Sequence, residues 1–238
     1  MPKAKKVIFV IVEGPTDEDA LSPVLKALFS SAEVHFHVIH GDITAERSIC
    51  GKNARSYVGA RIDAEMKKYA YRKDDVLQIV HLIDTDGAFI PDELVKAMDE
   101  SETEDRIRYY EDHIVAKDVC SVQKRNRRKS EAVAALCATG TMKAGMPYSI
   151  YYFSRNMEHV LHGIADDLTD DRKVELADAF AERYENDPEG FVQLMNSADV
   201  AVPGTYGQTW NFIRKGANSL QRHSNLCVLL EQENLRVL

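Results

Sequence analysis

The sequence predicts an α/β fold built on a parallel sheet, and three observations carry that prediction. Two apolar runs, VIFVIV at 7–12 and VLQIVHLI at 76–83, each stop on an acid: Glu13 after the first and Asp84 after the second. A strand buried on both faces reads as a near-continuous Val/Ile/Leu run, the mark of a parallel sheet with helices on both sides. Between and around these runs, strand-like and helix-like segments alternate in β-α-β-α-β order, which implies right-handed crossovers.

Residues 7–12 form the first predicted strand. Pro15-Thr16 then opens a helix with Thr16 as N-cap, and Asp17, Glu18 and Asp19 suit the positive end of its dipole. Leu21, Val24, Leu25 and Leu28 give that helix one apolar face. A second strand is expected at Val34–Ile39, closing on His40-Gly41-Asp42, then a helix over Ala54–Tyr71 and a third strand at Val76–Ile83. Beyond Asp86 the pattern loosens: Pro91–Asp99 reads as a short helix and Glu100–Asp118 as a charged loop or insert. There follow the basic run KRNRRK (124–129), an alanine-rich helix from Ser130 to Cys137 and a fourth strand at Tyr148–Phe153. Ser154 or Asn156 can cap a helix carrying MEHVLHG, 157–163. From Asp170 on, helices are expected at 170–185, 188–197, 208–220 and 223–235, with Pro188, Pro203, Gly204 and Gly207 as breakers between them. This divides the chain into an α/β core at 1–165, with a basic insert at about 100–130, and a helical C-terminal extension at 166–238.

The 238 residues are 45% apolar and 29% charged, ample for a globular core. A net charge of −8 argues against a general polyanion-coating protein, while local basic clusters can still engage nucleic acid. Cys50, Cys120, Cys137 and Cys227 are scattered without metal-ligand spacing, so free thiols in a reducing compartment are expected. No apolar run reaches membrane-spanning or signal-peptide length, so the expected location is the cytoplasm, with no membrane partner.

The acids at the strand ends hold most of the functional information. Ligands of open α/β sheets bind beyond the carboxyl ends of the strands. Glu13, Asp84 and Asp86 are delivered to that rim, where three carboxylates repel one another unless a cation sits among them. In DTDG, alternation along an extended segment would point Asp84 and Asp86 the same way, toward one ion. Gly14 leaves room for close approach of a phosphate or metal, and Gly87 permits a sharp turn. Asp17, Glu18 and Asp19 are sufficiently explained by the helix dipole.

EGPTD after an apolar strand, followed by crossovers and then IDTDG, resembles a Toprim domain over about residues 5–165. The nearest flavour is the Toprim of OLD-type nucleases and small phage-defence relatives. The resemblance implies a metal-dependent nuclease acting on DNA or RNA. Glu13 would be an acid–base group that can also hold metal, and Asp84 and Asp86 would hold Mg2+ or Mn2+. Glu158, in a helix after the last core strand, is a further metal-ligand candidate, set against an ordinary surface Glu158–His162 pair. No Walker A segment occurs, although OLD-type proteins carry an ATPase domain. That leaves a stand-alone nuclease or one gated by a separate ATPase or sensor protein, and homo-oligomers are compatible with either. No lysine of the sequence is matched to the additional catalytic lysine of OLD-type sites.

Lys124, Arg125, Arg127, Arg128 and Lys129 are read as phosphate-backbone contacts near the rim, against the alternative of a solvated surface. His35, His37 and His40 are read as a strand face rather than a metal site, since His40 points away from the other two. Tyr206 and Trp210 are expected to pack the C-terminal helices onto the sheet. The reading of another class is an inactive Toprim-like module that binds nucleic acid or regulates. Primase-like nucleotidyl transfer and a receiver-type domain fit the chain less well.

Overall fold

The computed structural model describes residues 6–30, 33–38 (backbone only), 44, 46–99, 101 and 106–232. Its centre is a four-stranded sheet of order β2-β1-β3-β7. The strands are β1 (Val7–Val12), β2 (Glu33–Val38), β3 (Val76–Asp84) and β7 (Tyr148–Phe153), all parallel. Helix α1 (Pro15–Leu28) crosses from β1 to β2, and α2 (Ala54–Lys68) from β2 to β3. The first crossover moves to one side of β1 and the second returns to its other side. The strand order therefore reverses between β1 and β3, which makes a crevice outside their carboxyl ends.

Period-two alternation splits the strand side chains between two cores. Ile8, Val10, Val12, Val80, Leu82, Tyr151 and Phe153 pack under α1, α4 (Met157–His162), α5 (Asp170–Glu185), α6 (Pro188–Met195) and α8 (Leu226–Leu230). Val7, Phe9, Ile11, Ile79, Ile83, Ile150 and Tyr152 pack under α2, α3 (Val119–Cys137) and α7 (Tyr206–Ile213). The helices after residue 165 thus share both cores: Phe180, Phe191 and Leu229 on one face, Trp210 and Ile213 on the other. Trp210 and Tyr206 pack as expected, Trp210 lying edge-on to Tyr152 at 4.9 Å.

Several expectations need correction. Thr16 is not the cap of α1; Gly14 holds that position in an extended conformation, Pro15 begins the helix, and Asp17 supplies the capping acceptor. The segment 91–99 is a single 3-10 turn (Asp92–Leu94) followed by strand β4 (Val95–Ala97). One isolated turn of helix is costly to nucleate, whereas Val95 gains burial by pairing with Ile114. The expected loop over 100–118 contains β5 (Arg108–Tyr109) and β6 (Ile114–Ala116), which complete a three-stranded sheet of order β4-β6-β5. The helix expected from Ser130 starts earlier, at Val119: the basic run and the alanine-rich segment form the single helix α3, capped by Asp118 accepting from the Ser121 amide at 2.9 Å. Lys, Arg, Gln and Ala all favour helix, so the change in charge midway does not interrupt it. The expected helix over 208–220 ends at Ile213 and resumes as a 3-10 turn at Asn218–Leu220.

The expected closing residues of strand two, 39–42 including His40, lie outside the described residues, as do 100 and 102–105 of the insert and 233–235 of the last helix. All four cysteines are free thiols. Among the described residues no helix is long and apolar enough to cross a membrane.

Candidate functional site

The carboxyl ends of β1 and β3 are neighbours, so Glu13 and Asp84 meet at the switch point. The Glu13 carboxylate accepts the Asp84 backbone N–H at 3.3 Å, bridging the two strand ends. Asp17, one turn into α1, turns back and accepts the backbone N–H groups of Gly14 at 3.0 Å and Glu13 at 3.2 Å. Its carboxyl is pushed up to about 6, chiefly by burial and further by the charge of Glu158, against the lowering effect of the Gly14 hydrogen bond. Burial pushes the Asp84 carboxyl well above the usual carboxylate range, and Glu13, Asp17, Asp86 and Glu158 add to that rise. Four acids, Glu13, Asp17, Asp86 and Glu158, thus bear on Asp84 at this rim.

Asp86 arrives differently from the sequence expectation. The strand ends at Asp84, and Asp86 sits in the following turn with φ 46, so the alternation argument for a shared direction does not apply. Its N–H donates to the Arg155 carbonyl at 2.9 Å, and Arg155 is itself left-handed at φ 58. Non-glycine residues in that region each store on the order of 1–3 kcal/mol and persist only where surroundings over-determine them. Here buried Thr85 is the latch: its hydroxyl donates to the Ser219 carbonyl at 3.0 Å and accepts from the Arg155 N–H at 2.8 Å. Gly87 is required by its turn, having φ 64 and lying where a Cβ would meet Leu220 Cδ2 at 2.4 Å. Gly14 is not so constrained, since a Cβ there would make only ordinary contacts beginning at 3.8 Å.

Two lysines reach into this acidic cluster. Lys129, on α3, is fully buried, and its Nζ donates to Asp86 Oδ2 at 2.5 Å. Lys173, on α5, lies 3.3 Å from Glu158 Oε1. Glu158 is 6% exposed, so the surface-pair alternative for Glu158–His162 fails: the carboxylate faces the rim. Arg125 extends the network by donating to the Asp86 carbonyl at 3.0 Å and to the Tyr109 hydroxyl at 2.8 Å. Arg127 pairs instead with Asp92, and Lys124 is exposed. Five basic side chains on nearly two turns of helix point in several directions, so they do not all share one face of α3. Arg125 and Lys129, four apart, share the inward face.

Sequence reasoning missed Asp17 and Lys173 as members of the site, and placed Lys129 among phosphate contacts. The cue for Lys129 was its i, i+4 spacing from Arg125 within a helix-favouring run. Nothing local marked Lys173, more than eighty residues beyond Asp84.

The donor set is all oxygen, which fits a hard divalent cation better than a soft one. Burial first, and the neighbouring acids after it, make the charged form of Asp84 costly, a cost that a cation at the rim would offset. As the side chains stand, no three His, Cys, Asp or Glu groups among the described residues are gathered closely enough to hold an ion. Three of the acids are engaged otherwise: Glu13 by the Asp84 N–H, Asp86 by Lys129 and Glu158 by Lys173.

Comparison with known proteins yields no relative: no protein-family model, curated protein or solved structure matches this chain.

Proposed function

We propose that this chain is a Mg2+- or Mn2+-dependent phosphodiesterase of the Toprim kind, cleaving nucleic acid at the rim formed by β1 and β3. The observation that carries the reading is the position of Asp84, at a topological switch point, with its carboxyl raised by burial and by four neighbouring acids. Such a cluster is costly without a cation and inexpensive with one. Glu13 and Asp84 would hold the ion, with Asp86 and Glu158 flanking. When bound, it supplies an activated water and neutralises phosphate charge. The chain's own groups do the rest. Glu13 is fixed by the Asp84 N–H and provides a positioned carboxylate for proton transfer. Lys129, held against Asp86, brings a desolvated ammonium beside the acids, the charge needed where negative charge builds on a phosphoryl group. The Thr85–Arg155–Ser219 latch holds Asp86 in its strained turn.

The test is cleavage of labelled DNA and RNA with Mg2+, with Mn2+ and with chelator. Wild type should cut only with the metal, and Glu13→Gln should lose on the order of a hundred- to ten-thousand-fold in rate while still binding substrate. Wild-type rates from a folded Glu13→Gln protein would end the proposal.

A second reading rests on the two ion pairs. Lys129 and Lys173 already offset part of the acidic charge, as in a site that has dispensed with metal. On that reading the chain binds nucleic acid or regulates without cutting, and neither Mg2+ nor Mn2+ raises its melting temperature.

A further inference from the structure

Beside the acidic rim opens a cavity of about 320 Å³ whose wall carries Arg106, Arg108, Arg155, Tyr109 and Tyr110. We propose that it seats one nucleotide of a single-stranded nucleic acid, its phosphate on the Arg155 guanidinium and its base on the Tyr110 ring. The proposal rests on the nuclease reading only in its account of why the cavity lies where it does.

Arg155 is the first support. It is 4% exposed, its Nη2 donates to the Ala165 carbonyl, and its Nε has no hydrogen-bond partner. A largely buried guanidinium is expensive to keep charged, and an anion entering the cavity that Arg155 lines would offset that cost by charge. Burial also lowers the pKa of this guanidinium, which a phosphate would reverse. Asp166 and Asp167 share the wall, with Asp167 3.6 Å from Arg106, yet three arginines outnumber them.

The aromatic wall is the second support. Tyr110 is 43% exposed and stacks on His113, with centroids 4.5 Å apart and planes at 7°. His113 covers one face of the ring, so a base can lie on the other. Bases of a duplex are already stacked on their neighbours, whereas those of a single strand are free to take such a platform.

The third support is position. Tyr109 separates cavity from rim: the Arg155 guanidinium lies 5.4 Å from its ring centre, and its hydroxyl accepts from Arg125, which also binds the Asp86 carbonyl. Arg155 and Asp86 are joined directly through the backbone as well. A strand whose phosphate sits on Arg155 therefore passes one residue's width from the carboxylates.

Binding of labelled oligo(dT) and oligo(rU), about twelve nucleotides long to fit a single-strand site, and of a duplex DNA is measured in chelator, so cleavage does not intrude. Tyr110→Ala should weaken single-strand binding on the order of 5- to 100-fold and leave duplex binding little changed. Arg155→Gln should reduce the dependence of log K on log salt by about 0.7 for a lost phosphate contact. Should Arg155→Gln not fold, Arg108→Gln with Tyr110→Ala decides the matter. Selective loss on single strands supports the proposal whether or not the wild type cleaves. Unchanged single-strand affinity in Tyr110→Ala, or equal losses on both substrates, overturns it even if the wild type is a nuclease.

Discussion

Asp84 shows most directly how one residue can be unfavourable to the fold and useful to the site. Its carboxyl titrates well above the usual range, first because it is buried and then because of Glu13, Asp17, Asp86 and Glu158. A raised carboxyl pKa means that the folded state holds the proton more tightly than the unfolded chain, so the stability it contributes is lost as pH rises through the folded value. Asp84→Asn should therefore melt above wild type at alkaline pH in chelator, and the difference should close as pH falls and wild-type Asp84 takes up its proton. The lowered pKa values of His159, His162 and His223 are common to both proteins and cancel, so the difference reports Asp84 together with the acids that respond to its charge, Glu13, Asp17, Asp86 and Glu158. A variant less stable than wild type across the range would make Asp84 a structural residue. Lys129 is the opposite case, a buried cation with a partner. Removing one member of a buried pair typically costs about 3–5 kcal/mol. Since Asp86 keeps 29% exposure, Lys129→Met should lie at the lower end, about 3 kcal/mol in urea denaturation, and adding Asp86→Asn should recover part of the loss. Full wild-type stability in Lys129→Met would show that the pair holds nothing in place.

At the scale of elements, the turn after β3 and helix α3 decide the site together. Gly87 and Gly14 stand beside the same carboxylates but are held to different requirements. Gly87→Ala meets both a left-handed φ and Leu220 at 2.4 Å, and should cost about 2 kcal/mol or more. Gly14→Ala meets no steric conflict and should cost only about 0.5 kcal/mol, for the poorer N-cap, so a large loss of cleavage there would report space needed by substrate. Thermal melts of the two variants side by side check both statements, and equal melting temperatures would refute the difference. Strands 7–12 and 148–153 were legible because each is a short apolar run bounded by turn or cap residues. β4, β5 and β6 were not: two or three residues carry no periodicity, and only their pairing, Val95 with Ile114 and Tyr109 with Ile114, makes them strands.

For the whole molecule, α1 and α4 cover one side of the sheet only in part, and helices after residue 165 supply the rest. Val10, Leu82 and Phe153 are buried under α1 and α4 together with Phe180, Phe191, Met195 and Leu229, all contributed after residue 165. A chain truncated after residue 165 should therefore expose that face, lose its cooperative melt and bind a hydrophobic dye. A truncated chain that melts cooperatively near the full-length temperature would show that the first 165 residues carry a sufficient core. The same packing brings Lys173 of α5 to Glu158, so one charge of the acidic rim depends on the C-terminal helices being in place.

The sequence by itself determined the α/β class, the parallel strands, the acids that end β1 and β3, and a cap for α4 at Ser154 or Asn156, of which the structure uses Asn156, its side chain accepting the His159 N–H at 2.8 Å. Those features are set by neighbours along the chain, through burial period and local hydrogen bonding. Only the tertiary structure decided which charges answer one another: Lys129 with Asp86, Lys173 with Glu158, and Arg155 with the turn that carries Asp86. Partners forty or more residues apart for Asp86, and fifteen apart across two helices for Glu158, leave no pattern in sequence. Coulomb energy depends on distance and desolvation, and both are fixed only once the sheet and its two helical layers have packed.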